Sequence, residues 1–208
     1  MQYIFINPVV DKMYNKEELN EVLVKNNYKR IGVEKDWHGI VKEKYKEVIN
    51  KTNLTILDRR CPLAIEKIEK YVDDEKVIIP KIEPILIHCA MEIANREELK
   101  GKRKIITTPC ESLAVHGNRL NLYETIFISW KEFLSSLHSK ENLKNNYIDC
   151  SPIPLGYFDS LGVKIKSISG KDNIKECFKN NLYYENNLVE MLYCDNGCNN
   201  GDGVLINE

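Results

Sequence analysis

Short runs of β-branched and aromatic residues alternate with amphipathic segments along most of the chain, and few architectures accept that alternation. Residues 3–8 read as a short apolar strand stopped by Pro8. Asn15 and Glu18 then have capping-box spacing, and Leu19, Val22 and Leu23 continue a helical stripe. Residues 28–33 read as a second strand, and residues 37–50 repeat Trp37, Ile40, Val41, Tyr45 and Val48 at helical spacing. A strand over 54–57 runs into Asp58-Arg59-Arg60-Cys61-Pro62, where Pro62 suits the first turn of a helix carrying Ile65, Ile68 and Tyr71. Residues 84–99 form a further apolar helix, and the β-branched run 104–108 ends at Pro109-Cys110. A strand over 125–128 precedes a helix capped by Ser129 and Glu132. Residues 163–169 alternate, Gly170 turns into a helix through Phe178, and residues 188–193 lead into a polar, glycine-rich tail. The expectation is an α/β fold with mainly parallel sheets flanked by helices. The chain has 208 residues, no internal repeat and no low-complexity linker, so a single domain of two lobes is expected, with a seam over 139–146.

Net charge is -1, from 30 basic and 31 acidic residues, so no single-sign field points to nucleic acid or an anionic membrane. The first eight residues lack the basic flank and apolar stretch of a signal peptide, and they are too short to span a bilayer. A cytoplasmic protein is expected. There the seven cysteines are not expected to pair as disulfides, which leaves metal binding, catalysis or burial.

Three cysteine neighbourhoods share one form, in which an element ends and a cysteine follows beside proline or glycine. They are Arg60-Cys61-Pro62, Thr108-Pro109-Cys110, and Cys194-Asp195-Asn196-Gly197-Cys198. Strand ends are where α/β folds place ligands, and glycine lets backbone N–H groups approach a sulfur. Four thiolates suit tetrahedral zinc or a cubane iron–sulfur cluster. Two of these cysteines stand alone, and the one close pair has three residues between its members, a spacing that disfavours zinc knuckles. Cys89 and Cys177 lie on apolar helix faces and are expected in the core, whereas Cys150, in a loop, is read as structural. His88 reads as a partly buried structural residue; His116, reached from Cys110 by a short loop, as an outer neighbour of that cysteine; and His38 and His138 as surface residues. No phosphate-binding glycine loop and no nucleophile elbow is present.

The segment from about Leu54 to Val204 resembles the C-terminal catalytic domain of the [FeFe]-hydrogenases, shortened and diverged, while residues 1–53 carry no matching motif. Arg60-Cys61-Pro62 with Glu69 and Tyr71 resembles the family's first signature, Cys-Cys-Pro followed by a glutamate and a tyrosine. Thr108-Pro109-Cys110 resembles its second, Met-Pro-Cys. The run from Val189-Glu190-Met191 through Cys194-Asp195-Asn196-Gly197-Cys198 to Asn200-Gly201-Asp202-Gly203 resembles its third, in which a glutamate, two cysteines, an asparagine and glycines keep register. The resemblance implies a [4Fe-4S] cluster held by Cys61, Cys110, Cys194 and Cys198 in a cleft between two α/β lobes.

The neighbours that support hydrogen chemistry in that family differ here. Arg60 stands where active enzymes carry a proton-delivering cysteine, and Leu113 replaces a lysine that contacts the diiron subsite. Glu83-Pro84-Ile85-Leu86 and Pro152-Ile153-Pro154-Leu155-Gly156-Tyr157 replace two other pocket-lining stretches, and ferredoxin-type cysteine runs are absent. The tuning of a metal site resides largely in such neighbours. The expectation is therefore a cluster protein of an anaerobe's cytoplasm that transfers electrons to a redox partner protein or senses redox state. Neither a diiron subsite nor hydrogen turnover is expected. A slow, divergent hydrogenase and a zinc-stabilised interaction module are the alternatives.

Overall fold

The computed structural model describes residues 1–72, 75–139, 143 and 151–198. The expected seam over 139–146 falls largely outside them, and so do Cys150 and the end of the third signature, residues 199–204. The chain is α/β and divides into two compact units, each with a four-stranded, all-parallel sheet flanked by helices. Unit 1 takes Met1–Lys35 and Leu86–Pro152; unit 2 takes Asp36–Ile85 and Ile153–Cys198.

In unit 1, β1 (Gln2–Phe5) lies between β2 (Tyr28–Arg30) and β5 (Lys104–Thr108), and β6 (Thr125–Ser129) completes the sheet in the order β2-β1-β5-β6. The N-terminal segment thus supplies a central strand. Pro8 ends β1 and also opens a helix, α1 (Pro8–Met13), because its missing N–H costs nothing in a first turn. The Asn7 side chain accepts from the N–H groups of Val9 and Val10. Asn15 caps α2 (Lys16–Lys25) as its spacing predicted, accepting from Glu17 and Glu18. The apolar segment over 84–99 breaks into α5 (Ile85–Ala94) and a 3-10 turn, Glu97–Leu99.

The residues after Cys110, read from sequence as a loop, form α6 (Glu111–Arg119). Gly117 lets this helix lie flat on β6, since an added Cβ would fall 2.5 Å from the Phe127 ring. The Asn118 side chain fastens the pair, donating to the Phe127 carbonyl and accepting its N–H, each at 2.8 Å. Ser129 caps α7 (Trp130–Ser136) through the Glu132 N–H. Movement from β1 to β2 and from β5 to β6 runs in opposite directions along the sheet. Right-handed crossovers therefore put α1–α2 and α6 on opposite faces, and the chain switches direction at the carboxyl ends of β1 and β5.

In unit 2 the order is β4-β3-β8-β7, with β3 at Thr55–Leu57, β4 at Val77–Ile78, β7 at Ile165–Ser169 and β8 at Leu188–Leu192. The two-residue β4 carries too short a pattern to be read from sequence. The crossovers through α4 (Pro62–Ile68) and α8 (Lys171–Lys179) move the same way along the sheet, so both helices cover one face. Ala64, Ile68, Ile174, Cys177 and Phe178 pack there on Leu57, Val189 and Met191. On the other face Val41, Tyr45 and Ile49 of α3 (Trp37–Ile49) pack on Ile56, Leu188 and Phe158. Cover on both faces explains why β8 is buried at all five positions. Cys89 and Cys177 are buried, as their helix faces predicted. Among the described residues no helix is long and apolar enough to cross a membrane.

Candidate functional site

Strands β3 and β8 are parallel neighbours, with Ile56 opposite Leu188 and Leu57 opposite Val189, so the segments that leave their carboxyl ends start side by side. One carries Cys61 and the other Cys194. The ladder runs one step past β3 through the Asp58 N–H to the Val189 carbonyl, at 2.9 Å. The chain then turns, and Cys61 becomes the N-cap of α4 with Pro62 in the first turn. The Cys61 carbonyl accepts the N–H groups of Ala64 (3.1 Å) and Ile65 (3.3 Å) as α4 begins. Burial, the largest effect, pushes the Cys61 thiol upward; backbone hydrogen bonding from Tyr193 and Ala64 opposes the rise, and the charges of Cys194 and Asp58 add to it.

The Cys194–Cys198 turn is held by backbone geometry. Gly170, between β7 and α8, has φ +92° and donates its N–H to the carbonyls of Leu192 (3.0 Å) and Cys194 (3.2 Å). A side chain at 170 would also collide with Asp195. Ser169 Oγ accepts the Asn196 N–H at 3.1 Å, and the Cys198 N–H donates to the Ile153 carbonyl at 3.0 Å. Asn196 and Gly197 both have positive φ, which tightens the turn between the two cysteines.

Behind Cys61 lies a charge cluster that sequence reading did not assemble. Arg60 turns inward, with its side chain 8% exposed, against Asp58 and Glu190, which are 0% exposed. Its Nε donates to both Asp58 oxygens at 3.0 Å, and its Nη2 donates to Asp58 Oδ2 and Glu190 Oε1 at 2.8 Å. The guanidinium lies over the rings of Tyr157 and Phe158, 3.9 and 4.5 Å from their centroids. Glu190 also accepts from the N–H groups of Gly156 and Tyr157 and from the Ser167 hydroxyl. Asp58 accepts the Tyr45 hydroxyl at 3.2 Å, and Tyr45 in turn accepts the Arg59 N–H at 2.9 Å. Although burial opposes the charge on Arg60, its two carboxylate partners outweigh that effect and hold its proton more tightly than usual.

Two signals in the sequence pointed to this cluster. Glu190 is the one charge inside Leu188-Val189-Glu190-Met191-Leu192, and a charge in a fully buried strand needs a partner. Asp58-Arg59-Arg60 ends another apolar strand. What pairs them is the β3–β8 register, which a linear reading does not supply.

Of the four expected ligands, Cys61, Cys194 and Cys198 belong to unit 2, all half-buried, whereas Cys110 belongs to unit 1. Cys110 is the N-cap of α6 just beyond β5, where that sheet switches direction, and its carbonyl accepts the Thr108 hydroxyl at 2.7 Å. His116 lies on α6, half-buried; Leu113, on the same helix, is buried in the core of unit 1. His88 is buried on α5, and His38 and His138 are exposed. Among the described residues no group of three or more His, Cys, Asp or Glu side chains is arranged to hold a metal ion. In unit 2, Cys61, Cys194 and Cys198 are thiols outside any disulfide, in the segments that leave the carboxyl-terminal ends of β3 and β8.

In comparisons with known proteins, no family model matches the chain, and neither a curated protein nor a solved structure does so.

Proposed function

We propose that this chain is a [4Fe-4S] cluster protein ligated by Cys61, Cys110, Cys194 and Cys198. It would transfer electrons to a redox partner protein, or sense redox state, in the cytoplasm, without turning over hydrogen and without binding nucleic acid. The observation that carries this reading is the arrangement of Cys61 and Cys194. Their segments leave the carboxyl ends of adjacent parallel strands, β3 and β8, side by side. Resemblance to the iron-hydrogenase signatures supplies the other two ligands and the cluster type.

Arg60 favours electron chemistry over proton chemistry. A proton relay must release its proton near the operating pH, and a guanidinium held by two buried carboxylates does not. Leu113, buried on α6, offers no charge to a diiron subsite either.

The test is anaerobic purification, with iron, sulfide and zinc counts and an EPR spectrum of the dithionite-reduced protein. Four irons and four sulfides per chain with a reduced-cubane signal are expected. Cys198→Ser is expected to lose them. Zinc without sulfide, absence of metal after reconstitution, or full iron in Cys198→Ser overturns the reading. Carbonyl and cyanide infrared bands with hydrogen evolution would instead establish a divergent hydrogenase.

A further inference from the structure

Among the described residues the outermost strands of the two sheets are β2, β6, β4 and β7, and each turns one row of peptide groups away from its sheet. Three of them carry an ordinary deterrent to strand addition. β2 holds Lys29 and Arg30, β7 holds Lys166, and β4 is two residues long. β6 differs, because Thr125-Ile126-Phe127-Ile128-Ser129 is five residues of high β-propensity with no charge and no proline.

The outward row of β6 is nevertheless already occupied. The Lys104 N–H donates to the Glu124 carbonyl across the β5–β6 ladder at 2.8 Å. Peptide groups alternate in direction along a strand, so residues 124, 126 and 128 face β5 while 125, 127 and 129 face outward. The Thr125 N–H donates back to the Leu122 carbonyl at 3.1 Å. At Phe127, the centre of the row, one side-chain amide takes both groups. Asn118 Oδ1 accepts the N–H and Nδ2 donates to the carbonyl, each at 2.8 Å. A donor and an acceptor side by side are what a hydrogen-bonded residue of an antiparallel strand would offer there. At Ser129 the chain leaves the edge as the N-cap of α7. Asn118 itself is exposed, so water can serve the same two groups, and asparagine is a poorer helix former than alanine. Stability alone does not account for this side chain.

We propose that Asn118 closes the β6 edge of unit 1 against a second copy of this chain. Two β6 edges related by a twofold axis would run antiparallel, with the two Phe127 residues exchanging N–H and carbonyl bonds. That pairing needs the same two groups that Asn118 holds. This role is independent of any bound cluster.

The test compares the full chain with Asn118→Ala by sedimentation velocity over a concentration series, with amide exchange read at Phe127. Exchange of the Phe127 N–H in the variant is expected to be about tenfold faster at low concentration. With rising concentration its mass is expected to climb toward double that of wild type. Alanine raises helix propensity at 118, which keeps α6. Should that variant fail to fold, Asn118→Ser, whose hydroxyl is too short to span both groups, carries the same two expectations. Ile4→Val loosens the buried centre of the same sheet without touching its edge, and is expected to keep the wild-type mass. Faster exchange at Phe127 with an unchanged mass overturns the proposal, as does an unchanged exchange rate. Association of Ile4→Val to the same extent also overturns it, since loosened packing would then be the cause.

Discussion

Replacing Arg60 by methionine keeps most of the aliphatic stem and deletes the one cation that neutralises Asp58 and Glu190. Both carboxylates are fully buried, so neither gains water when the guanidinium goes. Removing one partner of a buried ion pair costs about 3–5 kcal/mol, because a charge is left without compensation. Two carboxylates are affected, but each keeps other donors: Tyr45 and the Arg60 backbone N–H for Asp58, and Gly156, Tyr157 and Ser167 for Glu190. The cost therefore stays near the single-pair figure rather than doubling. Loss of the desolvated contact with the Tyr157 and Phe158 rings adds about 1–2 kcal/mol. A total of about 4–7 kcal/mol is a large share of the roughly 5–15 kcal/mol that holds a domain folded. With a urea m-value of about 2 kcal/mol per molar, the unfolding midpoint of unit 2 is expected to fall by about 2–3.5 M. Urea titration followed by circular dichroism measures it. The triple variant Asp58→Asn/Arg60→Met/Glu190→Gln is expected to recover more than half of the loss, since no unpaired charge stays buried. A single-variant midpoint within about 0.3 M of wild type would refute the reasoning, because it would mean that the pairs are already open to solvent.

Three further outcomes are expected. Gly117→Ala drives a methyl into the Phe127 ring and should cost about 1–3 kcal/mol in the thermal or urea unfolding of unit 1; an unchanged midpoint would show that α6 is free to lift from β6. Gly170→Ala meets both a φ of +92° and the Asp195 side chain, so it should lower stability by about 1–3 kcal/mol and loosen the Cys194–Cys198 turn. Reduced iron retention relative to Gly117→Ala would be its signature. The Cys89 thiol is pushed up from 9.0 to about 12, chiefly by burial and secondarily by Glu92, so it stays protonated in the folded chain while the unfolded chain ionises. Its contribution to stability is complete below pH 9.0 and is lost as pH rises toward about 12, a loss that Cys89→Ala should lessen in alkaline unfolding curves. In native protein at pH 8, iodoacetamide should leave Cys89 unmodified.

Sequence alone specified the α/β class, because periodicity switches between two and 3.6 wherever a strand yields to a helix. It also specified the caps at Asn15 and Ser129 and the burial of Cys89 and Cys177, all of which follow from local spacing. Placing Cys61, Cys110 and Cys194 just past strand ends was likewise a local inference, from a β-branched run followed by proline or a polar turn. The segment after Cys110 was misread because Gly117 and Asn118 weaken helical propensity; α6 is kept by packing on Phe127, a partner in the next strand. Tertiary structure decided where Arg60 points. In sequence it is a charged residue in a turn, equally suited to solvent. Only the pairing of β3 with β8, 132 positions apart at Ile56 and Leu188, brings Glu190 to Arg60 and Asp58 and makes a buried guanidinium affordable. Strand order is set by the burial of both sheet faces and by crossover handedness. These are properties of the whole unit, and no local stretch of the chain carries them.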